Sequence, residues 1–274
     1  MNEILSQSFM RTALAAGSLV ALVCSYLGTY VVLRRIIFVS IALAAISSLG
    51  VAVAVFSGQN PMLFSFIFAL IGVCIFSPHS VEKKLPRESI IGLSYVFASA
   101  LAILFLSKSA RGEGDMLNLI FGNILSISSK DIVHLLTVLI PVGIIHLAFY
   151  KEFIFSAYDP EMAEALGMKV GFWNFLFYLT LGAVVAVSIH ITGVMLVFTF
   201  LVVPAMFALK LVDSIKLSIG VSLAVALLST WIGLFLSFVW DMPTASLIIA
   251  FCCGFFLLAI LFQKIMVHVR SVKV

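Results

Sequence analysis

Long runs without a charged side chain are the feature that most constrains this chain of 274 residues. Seven runs of at least 19 residues occur: residues 12–33, 36–81, 89–107, 132–150, 170–209, 217–240 and 242–263. A helix needs about 20 apolar residues to cross a bilayer, and a charge at the bilayer centre costs about 2.5 to 3.5 kcal/mol. Only 10% of the residues are charged, against about a quarter in soluble domains. The runs predict a membrane protein and exclude a soluble enzyme, a disordered regulator and a secreted disulfide-rich protein.

Two of the runs are long enough to cross a bilayer twice. Residues 36–81 contain the helix-breaking segment Ser57–Pro61, and residues 170–209 contain His190–Gly193. Each of these runs is therefore expected to fold back once. The sequence predicts an all-α, polytopic helical bundle of about nine transmembrane helices, or eight if one span is marginal. We expect residues 1–274 to form a single transmembrane domain.

Basic residues orient the predicted bundle. Twelve lysine and arginine residues fall on one side of the nine-span arrangement and four fall on the other. Because loops rich in lysine and arginine stay in the cytoplasm, we expect the N-terminus outside and the C-terminus in the cytoplasm. This placement explains the net charge of +4 through membrane topology, so no nucleic-acid partner is expected.

The chain lacks the sequence motifs of several chemistries. It has no glycine-rich phosphate loop with a lysine, no G-x-S-x-G and no H-E-x-x-H, so we expect neither an enzyme nor an ATPase. All twelve acidic residues lie at span ends or in loops, whereas ion-coupled carriers usually place carboxylates inside the membrane. An ion-coupled carrier and an intramembrane enzyme stay as less favoured alternatives. If the chain transports a solute, the energy should come from elsewhere.

The longest charged interruption, residues 151–169, is predicted to contain a short cytoplasmic helix. Asp159 can cap its N-terminus, Pro160 suits the first helical position, Glu161 favours the positive helix end, and Gly167 can end it in a left-handed conformation. A capped helix on the cytoplasmic face of a chain without its own energy source indicates a docking element. The alternative is a loop helix that only joins two spans.

Six segments, in order along the chain, resemble the permease subunits of bacterial ABC importers for zinc, manganese and iron. They are Gly28–Arg35, Arg87–Gly92, Leu119–Leu125, Asp159–Gly167, Gly193–Leu196 with Val203–Ala205, and Asp241–Thr244. The fourth is similar to the family's D-P-E-x-A-x-A-L-G coupling helix. The resemblance implies a multi-pass protein of the bacterial cytoplasmic membrane that passes divalent metal ions to the cytoplasm.

The resemblance also implies a set of partners. A second permease, identical or different, would pair with this chain in the lipid bilayer, and an extracytoplasmic binding protein would deliver the substrate. A cytoplasmic ATPase dimer would bind the ATP and magnesium, and this chain would hold no cofactor. The residues implied to contact the ATPase are Asp159, Pro160, Glu161, Ala163, Leu166 and Gly167.

One departure from the family pattern concerns the metal itself. The family carries G-D-x-x-x-H after its arginine pair, and Asp with neutral His can replace the water that a divalent ion loses. Here Ile41 and Ala45 stand at the Asp and His positions, so no metal-ligating residue is predicted. Three explanations stay open. The chain is the ligand-less half of a heterodimer, it holds metal with other groups, or its substrate is a chelated or organic ligand.

Few other side chains qualify for the translocation path. We add His190 near the external turn, and Met195 and Thr199 on the following helix, to Ile41 and Ala45 as candidates. The alternative for His190 is an interfacial side chain that contacts backbone or lipid headgroups. His134 and His146 lie near opposite ends of one run, and each is expected to be a hydrogen-bonded packing residue.

Overall fold

The structure is a computed structural model that describes residues 8–76, 86–109, 112–122, 124 and 127–271. Within these residues the chain forms twelve α-helices and no strand. We number them α1 Ser8–Leu33, α2 Ile37–Ser57, α3 Pro61–Phe76, α4 Arg87–Ser107, α5 Gly112–Phe121, α6 Ser129–Ala148, α7 Tyr150–Tyr158, α8 Pro160–Ala165, α9 Val170–Thr192, α10 Val194–Leu211, α11 Ile215–Trp240 and α12 Thr244–Ser271.

Eight of these helices are long and apolar enough to cross a membrane. They are α1, α2, α4, α6, α9, α10, α11 and α12. Helix α3 is apolar but has only 16 described residues, and its predicted run continues beyond them. The predicted bundle of eight or nine spans is confirmed, whereas its orientation in the membrane stays a prediction.

Both double-length runs fold back once, as the sequence predicts. Gly58 ends α2 with a φ of +68°, and the Asn60 side chain accepts a hydrogen bond of 3.0 Å from the Met62 backbone at the start of α3. Gly193, with a φ of +78°, alone separates α9 from α10. The second break is shorter than expected, because His190 still lies in the last helical turn of α9.

Three helices form the centre of the bundle. The buried share of the apolar window is 61% in α1, 78% in α2 and 72% in α9, against 22% in both α4 and α6. Small residues let α2 approach α3 closely: a side chain at Gly50 would come within 2.5 Å of the Phe64 carbonyl oxygen, and the Ser47 and Ser65 hydroxyls lie 2.7 Å apart. Such contacts are how helices pack tightly in a bilayer. They hold α2 against α3.

Candidate functional site: a cavity between the spans and a capped helix

A cavity of about 450 Å³ lies between α2, α4, α5, α10 and α12. Four of the five predicted path residues line it: Ile41 and Ala45 from α2, and Met195 and Thr199 from α10. The members of each pair are four residues apart, which places both on one face of their helix. The fold therefore brings two separate stretches of sequence to one cavity.

The cavity wall is neutral. Among the described residues that line it there is no carboxylate, ammonium, guanidinium or imidazole group. Its polar groups are the hydroxyls of Ser48, Tyr95, Ser99 and Thr199 and the thioether of Met195. The Ser48 hydroxyl donates to the Ala44 carbonyl and the Thr199 hydroxyl to the Met195 carbonyl, each at 2.8 Å.

These donors are poorly suited to a bare divalent ion. A hydroxyl that already donates to its own helix offers only lone pairs to the cavity, and neutral groups offset little of the cost of removing water from an ion. Across the part of the chain that the structure describes, no three His, Cys, Asp or Glu side chains are grouped to hold a metal. The cavity can surround a substrate, but it brings no charged ligand of its own.

The fifth predicted path residue, His190, lies apart from the residues that line the cavity. It is exposed at the end of α9 that is distant from α8, near Asp131 and His134 at the start of α6. The Asp131 carboxylate accepts from the Ser128 backbone nitrogen at 2.9 Å and caps α6. His134 is also exposed, so its predicted packing role is wrong: its position near the start of α6 faces outward.

Two glycines join the segments at that same end of the cavity. A side chain at Gly122, just after α5, would overlap the backbone of Thr192, and one at Gly193 would overlap the backbone of Phe121 and Gly122. Both glycines have positive φ, which few other residues adopt readily. Leu119 and Ile120 of α5 line the cavity, so this backbone contact holds α5 against it.

This contact joins two of the segments that carry the family resemblance. The first of them begins within α5, and sequence reasoning missed its contact with the α9–α10 turn. Asn123 and Leu125 of the same segment lie outside the described residues. The signal available in the sequence was a glycine in each segment, without any indication that the two meet.

The predicted capped helix is confirmed as α8. The Asp159 carboxylate accepts from the Met162 backbone nitrogen at 3.0 Å, and Pro160 occupies the first turn. Gly167 has a φ of +82°, and its backbone nitrogen donates to the Glu164 carbonyl at 2.9 Å. The local sequence thus supplies the groups that begin and end the helix, while its docking role stays a prediction.

The two faces of this segment differ. Ala163 is fully buried and anchors α8 on the bundle, whereas Tyr158, Met162 and Leu166 are 70%, 52% and 65% exposed. We call these three residues the apolar stripe. Sequence reasoning singled out Leu166 but missed Tyr158 and Met162, although an apolar residue at every fourth position was a visible signal. Large exposed apolar groups beyond the spans indicate a protein interface.

A half-buried arginine connects this segment to the bundle. Arg34 follows the last residue of α1, and its guanidinium donates to the Ser156 hydroxyl at 2.8 Å and to the Phe153 carbonyl at 3.4 Å, both on α7. It also donates to the Asn174 side chain on α9 and lies 4.5 Å from the centre of the Phe177 ring. Burial lowers the pKa of Arg34 to about 10, so the group stays charged near neutral pH.

A histidine supports the same segment from α6. The Nε2 atom of His146 lies 3.0 Å from the Thr180 hydroxyl of α9, and its ring stacks on Phe153 with 4.1 Å between the ring centres. His146 and Phe153 are both fully buried. The predicted packing role of His146 is confirmed, and Phe153 of α7 is held between His146 and Arg34.

Comparison with known proteins covers nearly the whole chain. Residues 6–263 match the family described as the ABC 3 transport family. The chain is 32% identical over 237 residues to a probable metal transport system membrane protein of Treponema pallidum, covering 86% of this chain and 88% of that protein. It is 27% identical over 263 residues to the manganese transport system membrane protein MntC of Halalkalibacterium halodurans, covering 96% and 90%.

One solved structure shares the fold across almost its full length. It is described as PsaBC from Streptococcus pneumoniae in complex with Fab, and it superposes with a TM-score of 0.84 at 23% identity. The match covers 94% of this chain and 93% of that chain. The arrangement of the spans around the cavity is thus an arrangement that occurs in a known protein.

Proposed function

The chain belongs to the ABC 3 transport family, and from this membership we propose that it forms the transmembrane path of an ATP-driven importer for a divalent metal ion. It is a multi-pass membrane subunit of a bacterial transporter and not an ATPase. The observation that carries the proposal is the cavity between the spans, which Ile41, Ala45, Met195 and Thr199 line.

The metal is proposed from the relatives. Two proteins whose names state manganese or metal transport align with 96% and 86% of this chain. Manganese is therefore the first ion to test. A binding protein on the outer side would deliver the ion to the end of the cavity near Gly122 and Gly193.

The ATPase is proposed to dock on α8. The apolar stripe offers three large side chains outside the spans, while the buried Ala163 fixes the helix on the bundle. Interfaces of this kind depend on a few apolar anchors. Among the residues implied by the resemblance, Pro160, Glu161 and Leu166 are exposed and able to contact such a partner, whereas Asp159 and Gly167 cap α8 and shape it. ATP and magnesium would be bound by that partner.

The neutral cavity favours a second candidate for the subunit composition. A path without charged ligands suits a permease whose partner is a different chain that carries the carboxylate and the imidazole. If the partner is an identical copy, the ion should instead cross in a complex with an organic chelator, which brings its own ligands. In both candidates the chain is part of an importer; they differ in whether the ion crosses alone or with a chelator.

The test is transport by the reconstituted complex. The tagged chain is purified from its native host, its subunits are identified and counted by native mass spectrometry, and the complex is placed in liposomes. We expect ATP-dependent uptake of radioactive manganese when the binding protein is present, and none with a non-hydrolysable ATP analogue. A complex with no ATPase, or no ATP-dependent uptake of any divalent metal in free or chelated form, would contradict the proposal.

A further inference from the structure

We propose that Arg34 is the positioning residue that transmits movement of the docking helix α8 to α2, which lines the cavity, and to α9, which ends beside it. The inference rests on the proposed function, since it requires an ATPase docked on α8. It goes beyond that function by assigning the mechanical link to one side chain. The argument follows the contacts from α8 inward.

Helix α8 is joined closely to α7, because a single residue separates the two helices. Helix α7 ends at Tyr158, α8 begins at Pro160, and Asp159 between them caps α8 with its carboxylate. The side of α7 that faces the bundle carries Phe153 and Ser156, both buried. A displacement of α8 therefore displaces these two residues.

Arg34 binds α7 at those residues. Its guanidinium donates to the Ser156 hydroxyl at 2.8 Å and to the Phe153 carbonyl at 3.4 Å. A guanidinium presents five donors in a rigid planar fork, so it can hold α7 and still bind another helix. That other helix is α9, through Asn174 and the ring of Phe177.

From Arg34 two rigid connections lead to the cavity. The turn into α2 follows Arg34 directly and is held to α1 by the Ile36 backbone nitrogen, which donates to the Val31 carbonyl at 3.0 Å, and Ile41 of α2 lines the cavity. Helix α9 continues from Asn174 to Thr192, where the Gly193 turn contacts the segment after α5. A shift of α7 that displaces Arg34 would thus move α2, which lines the cavity, and α9, which ends at the Gly193 turn.

The adjacent Arg35 provides a matched control. It is exposed, carries the same charge and lies one residue from Arg34. A role that depends only on basic charge at the membrane surface would be shared by both arginines. A role that depends on the contacts with α7 and α9 belongs to Arg34.

The first experiment compares Arg34→Gln, Arg34→Lys and Arg35→Gln in the complex with its ATPase in liposomes. We expect Arg34→Gln to lower the amount of manganese transported per ATP hydrolysed by about tenfold, the effect of losing a hydrogen bond to a charged group. ATPase binding and hydrolysis should stay near those of the parent. Arg34→Lys should recover part of the ratio, and Arg35→Gln should leave it unchanged. An unchanged ratio in Arg34→Gln would overturn the inference.

A second readout does not depend on the identity of the metal. Met195→Cys, in a background with Cys24, Cys74, Cys252 and Cys253 replaced by alanine, reports access to the cavity through its reaction rate with a membrane-impermeant thiol reagent. We expect this rate to change between ADP and trapped ATP in the parent, and not in Arg34→Gln.

The outcomes separate the two proposals. Switching that depends on Arg34 without manganese uptake supports the inference and removes manganese as the substrate. A rate that changes equally in parent and Arg34→Gln overturns the inference while the importer stands. A parent that never switches with nucleotide overturns both. Should Arg34→Gln fail to assemble, Ser156→Ala with Asn174→Ala removes two of the three hydrogen bonds of the guanidinium, one to α7 and one to α9, while keeping the arginine, and is expected to lower the ratio in the same direction.

Discussion

The end of the molecule that carries α8 and the cavity between the spans differ in how much specific chemistry they contain. Near α8, Arg34 binds Ser156, Asn174 and the backbone of α7, and His146 stacks on Phe153. Among the described residues that line the cavity, the polar side-chain groups are hydroxyls and one thioether. The specific side-chain contacts therefore join helices to one another, and few polar groups are available to bind an ion. Selectivity for the metal should come from another subunit or from a ligand that travels with the ion.

The largest expected effect is on the affinity of the ATPase for α8. Met162→Glu places a charge in the apolar stripe, where an anchor residue typically contributes about 2 kcal/mol to binding. We expect binding of the ATPase to weaken by about 30-fold, the ratio that this energy corresponds to. The measurement is the affinity of the purified ATPase for the permease in nanodiscs.

Glu164→Gln is the matched control, because Glu164 is exposed on the same helix but is not part of the apolar stripe. It should change the affinity little. Equal weakening by both substitutions would show that charge along α8, and not the stripe, governs docking. Unchanged binding in Met162→Glu would move the docking site away from α8.

The next effect concerns the far end of the cavity, where two glycines allow a close backbone contact. Gly193→Ala introduces a side chain that overlaps the backbone after α5, at a φ of +78°. Strain at such a position costs about 1 to 3 kcal/mol, so we expect a lower unfolding temperature in detergent. Gly143→Ala in α6 meets open space and should be neutral or slightly stabilising. A Gly193→Ala protein as stable as the parent would show that α5 does not rest on this turn.

Sequence reasoning recovered what is encoded locally. Charge-free runs specify the spans, and the caps at Asp159 and Gly167 specify α8, because each depends on residues close together in the chain. The resemblance also selected Ile41, and the search for other side chains near the external turn selected Met195; both line one cavity. The partners of Arg34 could not be predicted, since Ser156 and Asn174 lie more than 100 residues away and no local pattern marks them.

The cavity can be given the metal ligands that it lacks. Ile41→Asp with Ala45→His places a carboxylate and an imidazole one helical turn apart on the face of α2 that lines the cavity. Imidazole and carboxylate are groups that bind divalent transition metals, so we expect manganese to bind the purified double variant more tightly than it binds the parent. Isothermal titration calorimetry measures this.

Ile41→Asn with Ala45→Gln is the control for polarity without charge, and it should bind no better than the parent. A gain in both proteins would attribute binding to hydration of the cavity. No gain in either would indicate that this face of α2 lies outside the metal's path. The result bears on the subunit question, because a gain means that the fold can hold the ion and that this chain lacks only the ligands.

The smallest expected effect tests how firmly His146 holds the docking end. Thr180→Val keeps the shape of the side chain and removes the hydroxyl that lies 3.0 Å from His146 Nε2. Losing one buried hydrogen bond costs about 1 kcal/mol, so we expect a slightly lower unfolding temperature and unchanged ATPase binding. Thr137→Val is the control, since Thr137 is exposed and its hydroxyl donates to the His134 carbonyl. If Thr180→Val also lowers the ratio of metal to ATP, then His146 shares the link with Arg34, because both hold Phe153 of α7 in place.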